Sequence, residues 1–115
     1  MKSIRKILVT GSAGFIGSTL CYEALKQGFA VKGIDNYSNS KKFNTRILKD
    51  FSKNFSFQEM DIAKNLQAVK DHFQEFQPDL VIHLASLKSV QQSEENPDLY
   101  WKNNLGSTDN ILESM

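Results

Sequence analysis

The sequence predicts an α/β fold in which helices cover both faces of a parallel β-sheet. Short apolar runs of strand length alternate along the chain with segments whose apolar residues recur at helical spacing. A glycine-rich turn follows the first apolar run directly, and an acidic residue ends the second run. Because parallel strands need right-handed crossovers, we expect the strand order 3-2-1-4 in a doubly wound, Rossmann-type sheet.

The first three elements form a β-α-β unit. The run Ile7-Leu8-Val9 predicts a buried strand, and the helix that follows the glycines keeps apolar residues at helical spacing as far as Leu25. Gly28 stands where such a helix would end, and a second strand at 30–35 ends in an aspartate.

The later segments continue the same alternation of helix and strand. We expect a helix at about 44–51, a third strand at 55–60, a helix at 65–76 that Pro78 stops, a fourth strand at 80–84 and, after a loop at 85–93, a final helix that Asn96 caps and Pro97 opens.

The turn after the first strand carries three glycines at three-residue spacing, Gly11, Gly14 and Gly17. In a dinucleotide-binding fold the first allows the tight turn, the second lets the backbone approach a pyrophosphate, and the third lets helix and strand pack closely. The amides of the helix N-terminus would face the phosphates. A plain turn before a helix stays open as the alternative, whereas Ser18 after the last glycine excludes a lysine-containing phosphate loop.

The acidic residue at the end of the second strand, Asp35, follows the glycines by roughly 20 residues, the position of a ribose-binding carboxylate. Its charge would repel a 2′-phosphate, so the cofactor is expected to be NAD rather than NADP. The basic residues Lys41, Lys42 and Arg46 lie nearby and could serve a phosphate, although a solvated loop face is the better interpretation.

The composition limits the classes of function. The 115 residues make one domain, 1–115, and 14 basic against 13 acidic residues give a net charge of +1, which indicates neither nucleic acid nor membrane as a partner. The N-terminal residues lead into the first strand without a signal-peptide pattern, so a cytoplasmic location is expected. The lone Cys21 is interpreted as a small packing residue on the first helix.

Several motifs together resemble a known family over nearly the whole chain. They are Val9-Thr10-Gly11-Ser12-Ala13-Gly14-Phe15-Ile16-Gly17-Ser18, Asp35-Asn36 with Asn39-Ser40-Lys41, Asp61-Ile62, the run 81–90, and Asn103-Asn104 with Gly106. This set is similar to the N-terminal part of the extended short-chain dehydrogenase/reductase family, also called the NAD-dependent epimerase/dehydratase family. The piece Leu87-Lys88-Ser89-Val90 resembles more narrowly the UDP-hexose 4-epimerases of the UDP-glucose/UDP-galactose type.

The resemblance implies a set of cofactor-binding residues, grouped by the part of NAD that they contact. Gly11, Gly14, Phe15, Ile16 and Gly17 would surround the pyrophosphate, Asp35 and Asn36 would hold the adenosine ribose, Asp61 and Ile62 would frame the adenine, Leu84 and Ala85 would line the path of the cofactor, Lys88 would reach its phosphates or ribose, and Asn103 would help to fix it. From the residues alone, a solvated Lys88 and an Asp61 that caps the next helix stay open.

The implied reaction is a reversible hydride transfer with a Tyr-x-x-x-Lys pair as the base, and in the family that pair follows a further strand which this chain does not contain. We therefore expect no catalytic residue here and no activity of this chain alone. Tyr22 and Lys26 have the spacing but lie on the first helix, away from the nicotinamide end, so the match is interpreted as chance. His83 is expected to be a buried or half-buried strand residue and His72 a helix surface residue, and no metal site is predicted.

The final helix has no glycine at its end and stays apolar, which favours an N-terminal NAD-binding fragment with the substrate domain absent. The full-length protein would then act on a UDP-hexose. The fourth strand would be an apolar edge that invites pairing with another chain, so a homodimer is a further expectation. Two alternatives stay open: a stand-alone NAD-binding module or pseudo-enzyme, and the N-terminal part of a nucleotide-sugar dehydratase.

Overall fold

The computed structural model describes residues 3–37, 40, 42–85 and 97–115, and within the last range only the helical backbone of 97–105. In this part of the chain the elements are β1 (Lys6–Thr10), α1 (Phe15–Lys26), β2 (Ala30–Asp35), α2 (Lys42–Phe51), β3 (Phe55–Glu59), α3 (Leu66–Phe76), β4 (Leu80–His83) and α4 (Pro97–Ser114). The predicted alternation of strands and helices is confirmed, with small differences at element ends.

The described strands form one parallel sheet in the order β3-β2-β1-β4, as predicted. The strand β1 pairs with β2 through Ile7 and Val31, and on its other side with β4 through Ile7 and Leu80. The chain moves outward from β1 to β3 and then returns to the far side of β1. The strand order therefore reverses between β1 and β4, and in such sheets ligands bind outside the carboxyl ends of the strands at that reversal.

Alternate residues of β1 enter two hydrophobic clusters, one on each face of the sheet. Ile7 packs with α1 and α2 in a cluster that includes Cys21 and Leu48. Leu8 packs on the opposite face with α3 and α4, in a cluster that includes Phe73. Burial raises the pKa of the Cys21 thiol to about 12, in keeping with its predicted role as a packing residue.

Local sequence signals explain where the helices begin and end. The last turn of α1 closes on Gln27, and Gly28 follows with a φ of 92°, the left-handed conformation that glycine supplies after a helix. The helix α3 begins after Asn65, whose Oδ1 accepts a 3.0 Å hydrogen bond from the amide of Ala68. Pro78 follows shortly after the end of α3, as expected.

The carboxyl ends of the four strands lie along one edge of the sheet, because all four run in the same direction. The loops that leave this edge carry most of the residues proposed from the sequence as a binding site. At the outer position, β4 pairs only with β1 among the described strands, so the expected edge strand is present.

Candidate functional site

The turn between β1 and α1 requires glycine at position 11. Gly11 has a φ of 75°, and its amide donates a 2.8 Å hydrogen bond to the carbonyl of Ile34 on β2. A Cβ at this position would lie 2.8 Å from the carbonyl carbon of Leu84 and 2.9 Å from the nitrogen of Ala85. The predicted tight turn is confirmed, and the chain leaving β4 adds a second reason for glycine there.

The other two glycines of the turn differ from each other. A Cβ on Gly17 would overlap the carbonyl of Gly11, so glycine here lets α1 lie directly against the turn that leaves β1. Among the described residues, a Cβ on Gly14 would meet only the carbonyl oxygen of Gly11, at 3.4 Å. The packing of this part of the chain therefore leaves the space in front of Gly14 open.

Neither a side-chain cap nor an acidic residue of its own first turn neutralises the N-terminus of α1. Its N-cap residue, Gly14, makes no side-chain cap, and no acidic residue stands in the first turn. The first amides of a helix have no partner within the helix and carry a partial positive charge. The side chains of Phe15 and Ile16 are 86% and 57% exposed. An anion at this end of α1 would thus meet main-chain donors beside an apolar surface.

The carboxylate of Asp35 is only 7% exposed and holds the loops around it together. Its Oδ2 accepts a 3.0 Å hydrogen bond from the amide of Ala13, inside the glycine turn. Its Oδ1 accepts from the amide of Tyr37 at 2.7 Å and from the Oγ of Ser40 at 3.1 Å. A carboxylate offers about four lone-pair sites, so the contacts within the described residues leave one for a ligand hydroxyl. Asn36, next in sequence, is exposed.

A residue that sequence reasoning missed is Asn44 on α2. Its Nδ2 donates a 2.8 Å hydrogen bond to the carbonyl of Ala13. Ala13 is thereby held at both of its main-chain polar groups, by Asp35 on one side and by Asn44 on the other. No spacing or motif marks Asn44 in the sequence, since its partner lies 31 positions earlier.

The turn after β3 contains Asp61 and Ile62. The Oδ1 of Asp61 accepts a 3.0 Å hydrogen bond from the amide of Ala63, and its Oδ2 lies 3.8 Å from the Nζ of Lys64. The carboxylate therefore closes a local turn and does not cap α3, which Asn65 caps instead. The side chain of Ile62 is 3% exposed and belongs to the core, so only its main chain can face a ligand.

The chain leaving β4 is fixed by the hydroxyl of Thr10 at the end of β1. The Thr10 Oγ1 accepts from the amides of Leu84 and Ala85, at 3.0 and 3.1 Å. Lys88 lies outside the described residues. Asn103 lies within α4, where only the backbone is described. The structure thus brings the Leu84–Ala85 turn against Gly11. The side chains of Lys88 and Asn103 are not among those that the structure describes.

Tyr22 and Lys26 lie on the outer side of α1. The ring of Tyr22 packs against Phe51 of α2 with ring centroids 4.5 Å apart. The Nζ of Lys26 lies 3.8 Å from Glu23 and 5.4 Å from the centroid of the Tyr22 ring. Both side chains therefore belong to the α1–α2 surface.

Two features of the described residues bear on other kinds of function. No three His, Cys, Asp or Glu side chains in them gather closely enough to hold a metal ion. Of the helices described, none combines the length and the apolar composition needed to cross a bilayer.

Comparisons with known proteins agree with this arrangement. A family model described as the NAD dependent epimerase/dehydratase family matches residues 7–115. The UDP-glucose 4-epimerase of Pisum sativum is 41% identical over 98% of this chain and 33% of its own length. The UDP-glucuronate 4-epimerase of Thermodesulfobacterium geofontis is 42% identical over 94% of this chain and 34% of its own.

A solved structure gives the same result. The UDP-glucose 4-epimerase from Bifidobacterium longum in complex with NAD+ and UDP superposes with a TM-score of 0.88 at 35% identity, over 96% of this chain and 33% of that one. The chain thus spans about a third of the length of the relatives that it matches. Since the family model covers nearly every residue and the sheet order agrees with that of its members, this chain belongs to the NAD dependent epimerase/dehydratase family.

Proposed function

We propose that this chain is the NAD-binding portion of a UDP-sugar 4-epimerase of the UDP-glucose/UDP-galactose type, which acts by reversible hydride transfer at C4 of the sugar. The relatives named above are 4-epimerases of UDP-glucose and UDP-glucuronate, which favours a sugar nucleotide as the substrate class. In this proposal residues 1–115 form the cofactor-binding domain, and the sugar and uridine contacts belong to the rest of the full-length protein.

The single observation that carries the proposal is the open space in front of Gly14, at the uncapped N-terminus of α1. A diphosphate placed there would meet the first amides of the helix at the positive end of its dipole. The same corner is tied by a 3.0 Å hydrogen bond from Ala13 to Asp35, which stands at the end of the neighbouring strand. A phosphate cradle and a ribose acceptor are therefore part of one connected structure.

The proposed contacts follow the three parts of the cofactor. The turn from Gly11 to Gly17, including the amides of Phe15 and Ile16, would hold the pyrophosphate; Asp35 and Asn36 would hold the adenosine ribose; Asp61 and the main chain of Ile62 would frame the adenine; Leu84, Ala85, Lys88 and Asn103 would complete the site. For Asp35 the remaining lone-pair site is what supports this role.

When bound at this corner, NAD would supply a hydride acceptor for C4 of the sugar. The glycine turn binds and orients the phosphates, and Asp35 excludes a 2′-phosphate because two negative charges would be brought together in a buried place. The base that takes the C4 hydroxyl proton is not assigned to Tyr22, whose ring packs against Phe51.

The proposal is tested by calorimetric titration of the 115-residue chain with NAD and, separately, with NADP. We expect saturable NAD binding and NADP binding weaker by about tenfold or more, from the repulsion at Asp35. Equal affinity for the two cofactors would contradict the assigned role of Asp35, and the absence of NAD binding together with an unchanged melting temperature would contradict the proposed function.

The activity itself is tested on the full-length gene product. Conversion of UDP-glucose to UDP-galactose is the expected result, and a product that has lost water would instead indicate a dehydratase. The homodimer and the cytoplasmic location stay predictions, which sedimentation and cell fractionation would test.

A further inference from the structure

A chain of hydrogen bonds runs through His83 at the end of β4. The Oγ1 of Thr10 accepts from the amide of Ala85 at 3.1 Å and shares the amide of Leu84 with the Thr10 carbonyl, each at 3.0 Å. These two contacts occupy both lone pairs of the hydroxyl oxygen. The Nδ1 of His83 lies 2.5 Å from the same Oγ1. The Thr10 hydroxyl must therefore donate its own proton to Nδ1, and Nδ1 must be unprotonated.

The position of the remaining ring proton follows from this. A neutral imidazole with an unprotonated Nδ1 carries its proton on Nε2. The Nε2 of His83 lies 3.4 Å from the Oγ of Ser107 on α4, and that Oγ lies 3.5 Å from the carbonyl of Ala85. Thr10 and Ser107 are both buried. The imidazole thus joins β1, β4 and α4 beneath the turn formed by Leu84 and Ala85.

We propose that His83 is a positioning residue of the NAD site: its neutral, Nε2-protonated ring locks the Leu84–Ala85 turn against Gly11, and protonation of the ring releases that turn. The inference rests on the proposed function only in naming NAD as the ligand of the corner. A protonated ring has a donor at Nδ1, and the Thr10 hydroxyl oxygen could receive it only by giving up one of the two amides. Leu84 would keep its bond to the Thr10 carbonyl, whereas the amide of Ala85 would lose its acceptor.

The release would reach the cofactor site over a short distance. The carbonyl carbon of Leu84 and the nitrogen of Ala85 approach to within 2.8 and 2.9 Å of the position that a Gly11 side chain would take. Main-chain atoms this close to the glycine turn cannot move without changing its surroundings. A shift of the turn would therefore alter the phosphate corner directly.

The direction of the pH dependence follows from the surroundings of the ring. Among the described residues, the groups that face it, Thr10 from β1 and Ser107 from α4, are hydroxyls, and burial lowers the pKa of His83 from its usual 6.5. The ring is therefore neutral at pH 7. Because its pKa is lower in the folded chain than in the unfolded chain, stability falls as pH falls below 6.5 and levels off below the folded pKa.

The first test uses the free protein and needs no cofactor. Nitrogen NMR of the imidazole should show the Nε2-protonated tautomer at pH 7.5, and the exchange protection of the Ala85 amide should fall as His83 becomes protonated. The Leu84 amide, which also bonds to the Thr10 carbonyl, is the internal control. An Nδ1-protonated ring, or Ala85 protection that does not change with the charge of His83, would overturn the proposal.

The second test measures NAD affinity between pH 5 and 7.5 in matched variants. His83→Leu removes the acceptor and should weaken NAD binding about tenfold at pH 7.5. His83→Asn keeps an acceptor where Nδ1 stood and cannot titrate. Its NAD affinity should therefore match that of the unmodified chain at pH 7.5 and should not fall toward pH 5. His72→Asn, on α3, is the control, and its NAD affinity should change with pH as it does in the unmodified chain.

The outcomes separate this inference from the proposed function. NAD binding whose pH profile is the same in the unmodified chain and in His83→Asn would overturn the role of His83 and leave the proposed function intact. An absence of NAD binding, with the expected tautomer and the pH-dependent protection of the turn, would contradict the proposed function and support the positioning role.

Discussion

The glycine corner after β1 and the acidic turn after β3 stand at the same edge of the sheet, yet they are held in different ways. The corner is fixed by distant parts of the chain, because Gly11 bonds to Ile34 and Ala13 bonds to Asp35. In the acidic turn, the carboxylate of Asp61 contacts Ala63 and Lys64, both within three residues, while the carbonyl of Ile62 accepts a 2.6 Å hydrogen bond from Asn110 on α4. Changes at the corner should therefore affect folding and binding together, whereas changes at the Asp61 side chain should affect them separately.

The largest effect is expected for Gly17→Ala. Its Cβ would overlap the carbonyl of Gly11, which cannot move away because the amide of Gly11 is bonded to Ile34 and its other side faces Leu84. We expect the free energy of unfolding to fall by about 3 kcal/mol or more, measured by urea denaturation.

A matched glycine gives the control for Gly17→Ala. Gly28 has open space around its Cβ position but a φ of 92°, so Gly28→Ala should cost only the backbone strain, about 1 to 2 kcal/mol. If the two variants lost the same stability, the contact between α1 and the glycine turn would not be as tight as described.

The next effect is expected for Asp35→Ala. We expect NAD binding to weaken by about 1 to 3 kcal/mol through the loss of charge-assisted hydrogen bonds. The structure adds a second consequence, because the amides of Ala13 and Tyr37 also lose their acceptor. The free energy of unfolding should therefore fall by about 2 kcal/mol as well.

Calorimetry with NAD and denaturation of the free chain measure these two quantities at Asp35. Asp35→Asn, which keeps one acceptor oxygen, should lie between the unmodified chain and Asp35→Ala in both. Unchanged stability in Asp35→Ala would show that the carboxylate does not hold the corner.

Gly14→Ala should separate binding from folding within the corner itself. Its Cβ would have only the Gly11 carbonyl oxygen nearby, at 3.4 Å, so we expect a stability change below about 1 kcal/mol. The same methyl group would occupy the space proposed for the pyrophosphate, and NAD affinity should fall by about tenfold or more. Retained affinity in the calorimetric titration would place the phosphates elsewhere.

The sequence was informative where a local rule decides the structure. The period of the apolar residues predicted the strands and helices, and the left-handed φ of Gly11 followed from the turn that a dinucleotide fold requires. The sequence did not indicate that Gly17 lies against the carbonyl of Gly11, because contacts between loops depend on how the elements meet in space. For the same reason no pattern indicated that Asn44 holds Ala13, or that His83 bonds to Thr10 across 73 positions.

The smallest effect on folding is expected at Asp61, where the change in NAD affinity should exceed the change in the free energy of unfolding most clearly. Lys64 is 79% exposed, so its pairing with Asp61 contributes almost nothing to stability, and Lys64→Ala serves as the control. Asp61→Ala removes the acceptor for Ala63 and should lower the free energy of unfolding by about 1 kcal/mol or less, measured by denaturation. If Asp61 accepts a hydrogen bond from the adenine, NAD affinity should fall in Asp61→Ala by several fold and remain unchanged in Lys64→Ala. Equal NAD affinities in the two variants would show that the Asp61 carboxylate stabilises its own turn without contacting the adenine. Binding of the adenosine would then be left to Asp35 and its neighbours.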